Sequence, residues 1–99
     1  MTIERNGSKT TLITDERIDT YGAPQFAAEV AKALEGTKDL TLDFGRLAYI
    51  SSSGLRSVMS AVKVMARQGD MRIVNVGAGV YDILEATGFT GMCDVEMKV

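Results

Sequence analysis

The chain has 99 residues, a formal charge of −2 at pH 7, 45% hydrophobic and 24% charged residues, and no histidine. That length makes one domain, residues 1–99, around one core, and the composition is that of a soluble globular protein. No apolar run approaches the ~18 residues of a membrane span, Met1 to Arg5 shows no secretory leader, and the acidic balance argues against nucleic acid as a partner, which calls for a basic excess.

In chain order, Thr2 to Arg5 and Ser8 to Thr14 flank Asn6-Gly7, a dipeptide suited to a type I′ turn, so the chain is expected to open as an antiparallel hairpin. Arg17 to Gly22 reads as a loop. Pro24 fits the first turn of a helix, where its missing N–H has no partner to lose. That helix runs to about Leu34, with Phe26, Ala27, Val30, Ala31 and Leu34 inward and Gly36 as its left-handed stop. Thr37 to Phe44 is the third strand, in which Leu40, Leu42 and Phe44 alternate with Thr41 and Asp43.

From Leu55 the apolar residues recur at three and four as Leu55, Val58, Met59, Val62, Met65 and Ala66, the stripe of an amphipathic helix whose other face carries Arg56, Ser60, Lys63 and Arg67. On that reading Val62→Asp should unfold or badly destabilise the protein. Gly69 ends the helix, and Met71, Ile73, Val74 and Val76 form a fourth strand. A short helix through Val80, Ile83 and Leu84 follows. It is expected to close at Thr87-Gly88-Phe89 in a Schellman cap, with Phe89 folded onto Leu84. Val95, Met97 and Val99 close the chain as a last strand. Strands alternating with helices imply parallel pairs joined by right-handed crossovers. The expected fold is a single α/β domain with a mixed sheet of about five strands, an N-terminal hairpin and helices mainly on one side. Its predicted core is Leu42, Phe44, Leu55, Val58, Met59, Val62, Ile73, Val74, Ile83, Leu84 and Phe89.

Between the third strand and the long helix lies Tyr49-Ile50-Ser51-Ser52-Ser53-Gly54. A serine hydroxyl there can cap a free N–H of the first turn. It can also carry a phosphate, since a helix N-terminus favours negative charge. Gly54 offers a surface without a side chain, where a partner's backbone could come close. Arg56 and Ser57, with Ser60 and Lys63 one and two turns on, should form one patch with Ser53 and Gly54.

Other chemistry is poorly provided for. Without histidine there is no Ser-His-Asp triad and no imidazole ligand for zinc. Gly77-Ala78-Gly79 lacks the third glycine of a dinucleotide loop, because position 82 is Asp82. Asp15, Asp19, Asp43 and Asp82 stand singly, without the spacing of a metal site. The lone Cys93 has no disulfide partner, which fits a reducing cytoplasm and a small core residue near the last strand. The six methionines scatter as core filler. No catalytic residue, cofactor or metal is expected.

The order and spacing of the hairpin, the first helix, the strand Leu40 to Phe44, the corner Tyr49 to Leu55, the long helix and Thr87-Gly88-Phe89 resemble the STAS domains over nearly the whole chain. They resemble particularly the small bacterial anti-sigma factor antagonists. In that family the corner usually reads Asp-Ser-Ser-Gly, and the serine before the glycine is phosphorylated by the anti-sigma factor, a serine kinase. The matching residue is Ser53. The resemblance implies a protein that is no enzyme, binds the anti-sigma factor when unphosphorylated and so frees a sigma factor, and is reset by a serine phosphatase. Its partner surface would comprise Ser51, Ser52, Gly54, Arg56, Ser57, Ser60 and Lys63. The chain departs from the pattern at Ser51, where the family has aspartate. Some STAS domains instead serve as docking subunits of transport or stress-signalling complexes, which is the alternative function.

Overall fold

The computed structural model describes residues 1–99. The elements are β1 (Thr2–Asn6), β2 (Lys9–Ile13), β3 (Arg17–Ile18), α1 (Ala23–Leu34), β4 (Asp39–Asp43), β5 (Tyr49–Ile50), α2 (Ser52–Gln68), β6 (Asp70–Val76), α3 (Ala78–Ala86), a 3-10 turn (Phe89–Gly91) and β7 (Asp94–Met97). Five strands form one sheet in the order β1-β2-β4-β6-β7. Only β1 is antiparallel to its neighbour. From β2 onward each crossover moves one strand in the same direction, so right-handed connections put α1, α2 and α3 on one face. The register agrees. Leu12, Leu42 and Ile73 stand side by side and are fully buried, whereas the next row, Thr11, Thr41 and Arg72, faces away from the helices and stays partly open.

The hairpin pairs Asn6 with Lys9, so its two-residue turn is Gly7-Ser8, one position later than Asn6-Gly7. Gly7 has φ +64° and Ser8 has no positive φ, which fits a type II′ turn with glycine first rather than type I′. The register decides this. It sets Ile3 opposite Leu12 on the covered face, and a shift by one would turn Ile3 to the open side.

The expected loop at Arg17 to Gly22 begins with a strand. Arg17–Ile18 pairs in parallel with Tyr49–Ile50 as a separate two-stranded sheet, and Ser51 N–H donates to Ile18 O at 2.7 Å. This pair ties the entries to α1 and α2 together.

In α1 the buried residues are Ala23, Phe26, Val30 and Ala33. Leu34 is half-buried, and Ala27 and Ala31 are exposed along the flank that adjoins α2. Gly36 takes the expected left-handed conformation, φ +67°. The freed carbonyls find a second partner, since the Arg5 guanidinium donates to Glu35 O at 2.9 Å and also to Lys32 O. A cation at a helix C-terminus is favourable.

The long helix is rotated relative to the expected stripe. Gly54, Val58, Ala61 and Met65 are buried; Leu55, Met59 and Val62 are half-buried on one flank, and Ala66 is exposed. Small residues let the helix approach closely. A β-carbon on Gly54 would lie 2.8 Å from both Ile18 Cγ2 and Ile50 Cγ1. The helix stops at Gly69, where a β-carbon would sit 1.9 Å from Lys38 O, and Asp70 N–H donates to that same oxygen at 2.9 Å.

At the end of α3, Gly88 is left-handed (φ +87°) and its N–H donates to Glu85 O at 3.1 Å, one bond of the expected cap. Thr87 Oγ1 donates to Ile83 O at 2.7 Å, and Leu84 and Phe89 are both buried in the core. Of the predicted core, Leu42, Phe44, Val58, Ile73, Leu84 and Phe89 are buried. Val74 is half-buried on the open sheet face, and Ile83 is exposed on the outer side of α3. The last strand ends at Met97, with Met97 and Val99 exposed.

Candidate functional site

The serine corner is built from β5 and the first turn of α2. Ser51 is the N-cap. Its backbone is extended (φ −79°, ψ 167°), and its Oγ accepts from Gly54 N–H at 3.2 Å. Serine does here what a capping aspartate would do, satisfying one of the orphan donors of the first turn. Ser51 is buried, and so is Gly54, which is packed on Ile18 and Ile50. These two residues therefore do not belong to the outer surface at which the sequence placed them. Ser51→Ala should cost about 1 kcal/mol while Ser51→Asp holds the stability of the parent. A denaturant midpoint at constant slope reads both.

The remaining residues lie on the outer side of the helix. Ser52, Arg56, Ser60 and Lys63 are exposed, and Ser53 and Ser57 are half-buried. Ser60 Oγ donates to Arg56 O at 3.1 Å. Ser53 and Ser57 line a surface hollow of about 230 Å³ whose opposite wall is Thr20, Ala23, Pro24 and Ala27. Sequence reasoning missed that wall. The signal available for the wall was slight, because Thr20 follows a strand of only two residues, and Ala23, Pro24 and Ala27 reach the hollow only through the way α1 packs beside α2. Tyr21 is 94% exposed beside Thr20, and Tyr49 of the corner is 43% exposed with the Arg17 guanidinium carbon 4.8 Å from its ring centroid.

The electrostatics of the corner favour negative charge. The first turn of α2 has no acidic residue, and the whole helix carries Arg56, Lys63 and Arg67 without one aspartate or glutamate. No group of three or more Cys, Asp or Glu is arranged to hold a metal ion. Cys93 is half-buried near the start of β7, its thiol pKa raised first by burial and then by the charge of Asp94, which disfavours the thiolate. No helix is long and apolar enough to cross a membrane.

A family model described as Mlab, STAS domain, matches residues 1–95. The chain belongs to the STAS family. A relative in Bordetella bronchiseptica, BtrV, named as an anti-sigma factor antagonist, is 34% identical over 80 residues, which are 79% of this chain and 69% of BtrV. Among solved structures, an anti-sigma-factor antagonist STAS domain protein of Planctomyces limnophilus superposes with a TM-score of 0.88 at 13% identity, covering 99% of this chain and 90% of that one. The Bacillus cell fate determinant SpoIIAA in its phosphorylated form superposes with a TM-score of 0.75 at 16% identity, covering 95% and 88%. At these identities the two structural likenesses are likenesses of fold. They fix this STAS domain as a single α/β unit with a mixed five-stranded sheet.

Proposed function

We propose that this STAS domain is an anti-sigma factor antagonist switched at Ser53. In the unphosphorylated state it binds an anti-sigma factor that is also a serine kinase, and a sigma factor is thereby released. Phosphate on Ser53 ends the complex, and a serine phosphatase restores it. The domain acts by binding and catalyses nothing itself. The observation that carries this reading is the division of labour at the corner: Ser51 is engaged as the buried cap, while Ser53 lines an open hollow at the mouth of α2.

Two further points support it. With no histidine in the chain, Ser53 lacks the usual base that would make it a nucleophile, so it suits the role of a hydroxyl acted on by another protein's kinase site. A phosphate would add about −1.5 to −2 charge at a helix start free of acidic residues. The domain would therefore keep its fold on phosphorylation, and the change would fall on the partner's surface, through repulsion and lost burial. Ser52, Arg56, Ser57, Ser60 and Lys63 would frame the contact.

The test is phosphopeptide mapping after incubation with the cognate kinase and ATP, with affinities for two variants. Phosphate is expected on Ser53 alone. Ser53→Ala should bind the anti-sigma factor whether or not ATP is present. Ser53→Asp should bind at least about 10-fold more weakly, a change of ~1.4 kcal/mol. Phosphate on another serine, or equal affinities for all three proteins, would leave a docking subunit whose control lies elsewhere.

A further inference from the structure

The hollow at Ser53 does not end at the corner. A second hollow of about 190 Å³, lined by Ala27, Val30, Ala31, Leu34, Ser57 and Ser60, shares Ala27 and Ser57 with the first. Together they make one groove along the seam between α1 and α2, from Pro24 to Leu34, a length of about 15 Å at the helical rise. On the α1 side Ala27, Ala31 and Leu34 follow the spacing i, i+4, i+7, and on the α2 side Ser53, Ser57 and Ser60 follow the same spacing. Two parallel ridges at that spacing present the kind of channel into which a third helix can pack. The rim is charged on one side. Arg56, Lys63 and Arg67 stand exposed beyond Ser57 and Ser60 with no acid among them, whereas α1 carries Lys32 paired to Glu29 at 3.6 Å, with Glu35 at its end.

We infer that the α1/α2 seam is a docking groove for an acidic amphipathic helix of the partner protein. Apolar residues of that helix would fill the channel over Ala27, Val30 and Ala31, and its carboxylates would face Arg56, Lys63 and Arg67. The open face of the sheet is the wrong surface for such a ligand, because Glu4, Asp39, Asp43 and Asp94 lie on it. The inference rests on the reading of Ser53 as the switch in one respect: Ser53 stands at the mouth of the groove, so a phosphate there would oppose an acidic helix directly.

The experiment is an NMR titration of the whole domain with three synthetic probes of about 14 residues each. The first has leucines at i, i+3, i+4 and i+7 with glutamates elsewhere, the second replaces glutamate by lysine, and the third is the glutamate peptide broken by a central proline. The glutamate helix should shift the amides of Ala27, Ala31, Ser57 and Ser60 and saturate, with the other two at least about 10-fold weaker. Ala31→Glu, at an exposed position, should weaken the glutamate helix about 10-fold with an unchanged melting temperature. Shifts confined to other surfaces, equal binding of the acidic and basic helices, or full binding by Ala31→Glu would overturn the groove. None of these readouts requires phosphorylation. A groove that fails while Ser53 is phosphorylated moves the docking surface elsewhere, and a groove that binds while Ser53 stays unmodified removes the switch and keeps the surface.

Discussion

Ala61→Asp is expected to unfold the domain, while its neighbour Val62→Asp leaves a folded and only moderately weakened protein. Ala61 is fully buried beneath α2 within a single core. A carboxylate there has neither water nor a basic partner, and the cost, at least about 4 kcal/mol, is a large part of the ~5–15 kcal/mol that holds a small domain together. Val62 lies half-buried on the flank, on the wall of a hollow of about 310 Å³ that also includes Asp70, Arg72 and Asp94. A carboxylate at that position can reach solvent. Circular dichroism and thermal melts of the two variants check this, and equal loss of structure in both would show that the buried face of α2 is centred elsewhere.

That contrast reverses the expectation from periodicity, and the reason is physical. A hydrophobic stripe is drawn by large side chains, so Leu55, Met59 and Val62 pulled the expected face toward themselves. The surface a helix buries is also decided by how near its backbone can come to the layer beneath. Gly54 and Ala61 carry little hydrophobic weight in a pattern, yet both are buried, and Gly54 permits the approach to Ile18 and Ile50. Those two isoleucines belong to strands of two residues, too short to show an alternation. The serine corner was legible because caps are local, and the sheet was legible because Leu40, Leu42 and Phe44 alternate over a full strand. The groove was not, since it is lined largely by alanines and serines whose exposure depends on how two helices pack.

Gly69→Ala should be the most damaging of the glycine substitutions, costing about 3 kcal/mol or more. The backbone conformation is not the cause, because Gly69 is extended (φ 171°), which any residue adopts. The cause is contact. The added methyl would fall 1.9 Å from Lys38 O, a backbone atom already accepting from Asp70 N–H. To make room, α2 and β6 must separate from the start of β4. Gly36→Ala is the control, because there φ is +67° but nothing lies within 4 Å of the new methyl. Its penalty should be only about 1 kcal/mol, from the left-handed backbone alone. Urea midpoints separate the two, and a Gly69→Ala cost no larger than that of Gly36→Ala would mean the crossover is looser than described.

The sheet register also sets the order in which the molecule can assemble. β2 meets β4, and β4 meets β6, through partners about thirty residues apart, whereas β1 meets β2 across a two-residue turn. The central pairs can close only after long segments of chain have been brought together, which costs entropy before any contact repays it. Forming α1 and α2 first shortens those segments, and the β3–β5 pair then pins both helix entries at once. Folding should therefore be limited by docking of preformed crossovers rather than by the hairpin. Core substitutions in α2 would slow refolding, while changes in β1 would mainly hasten unfolding.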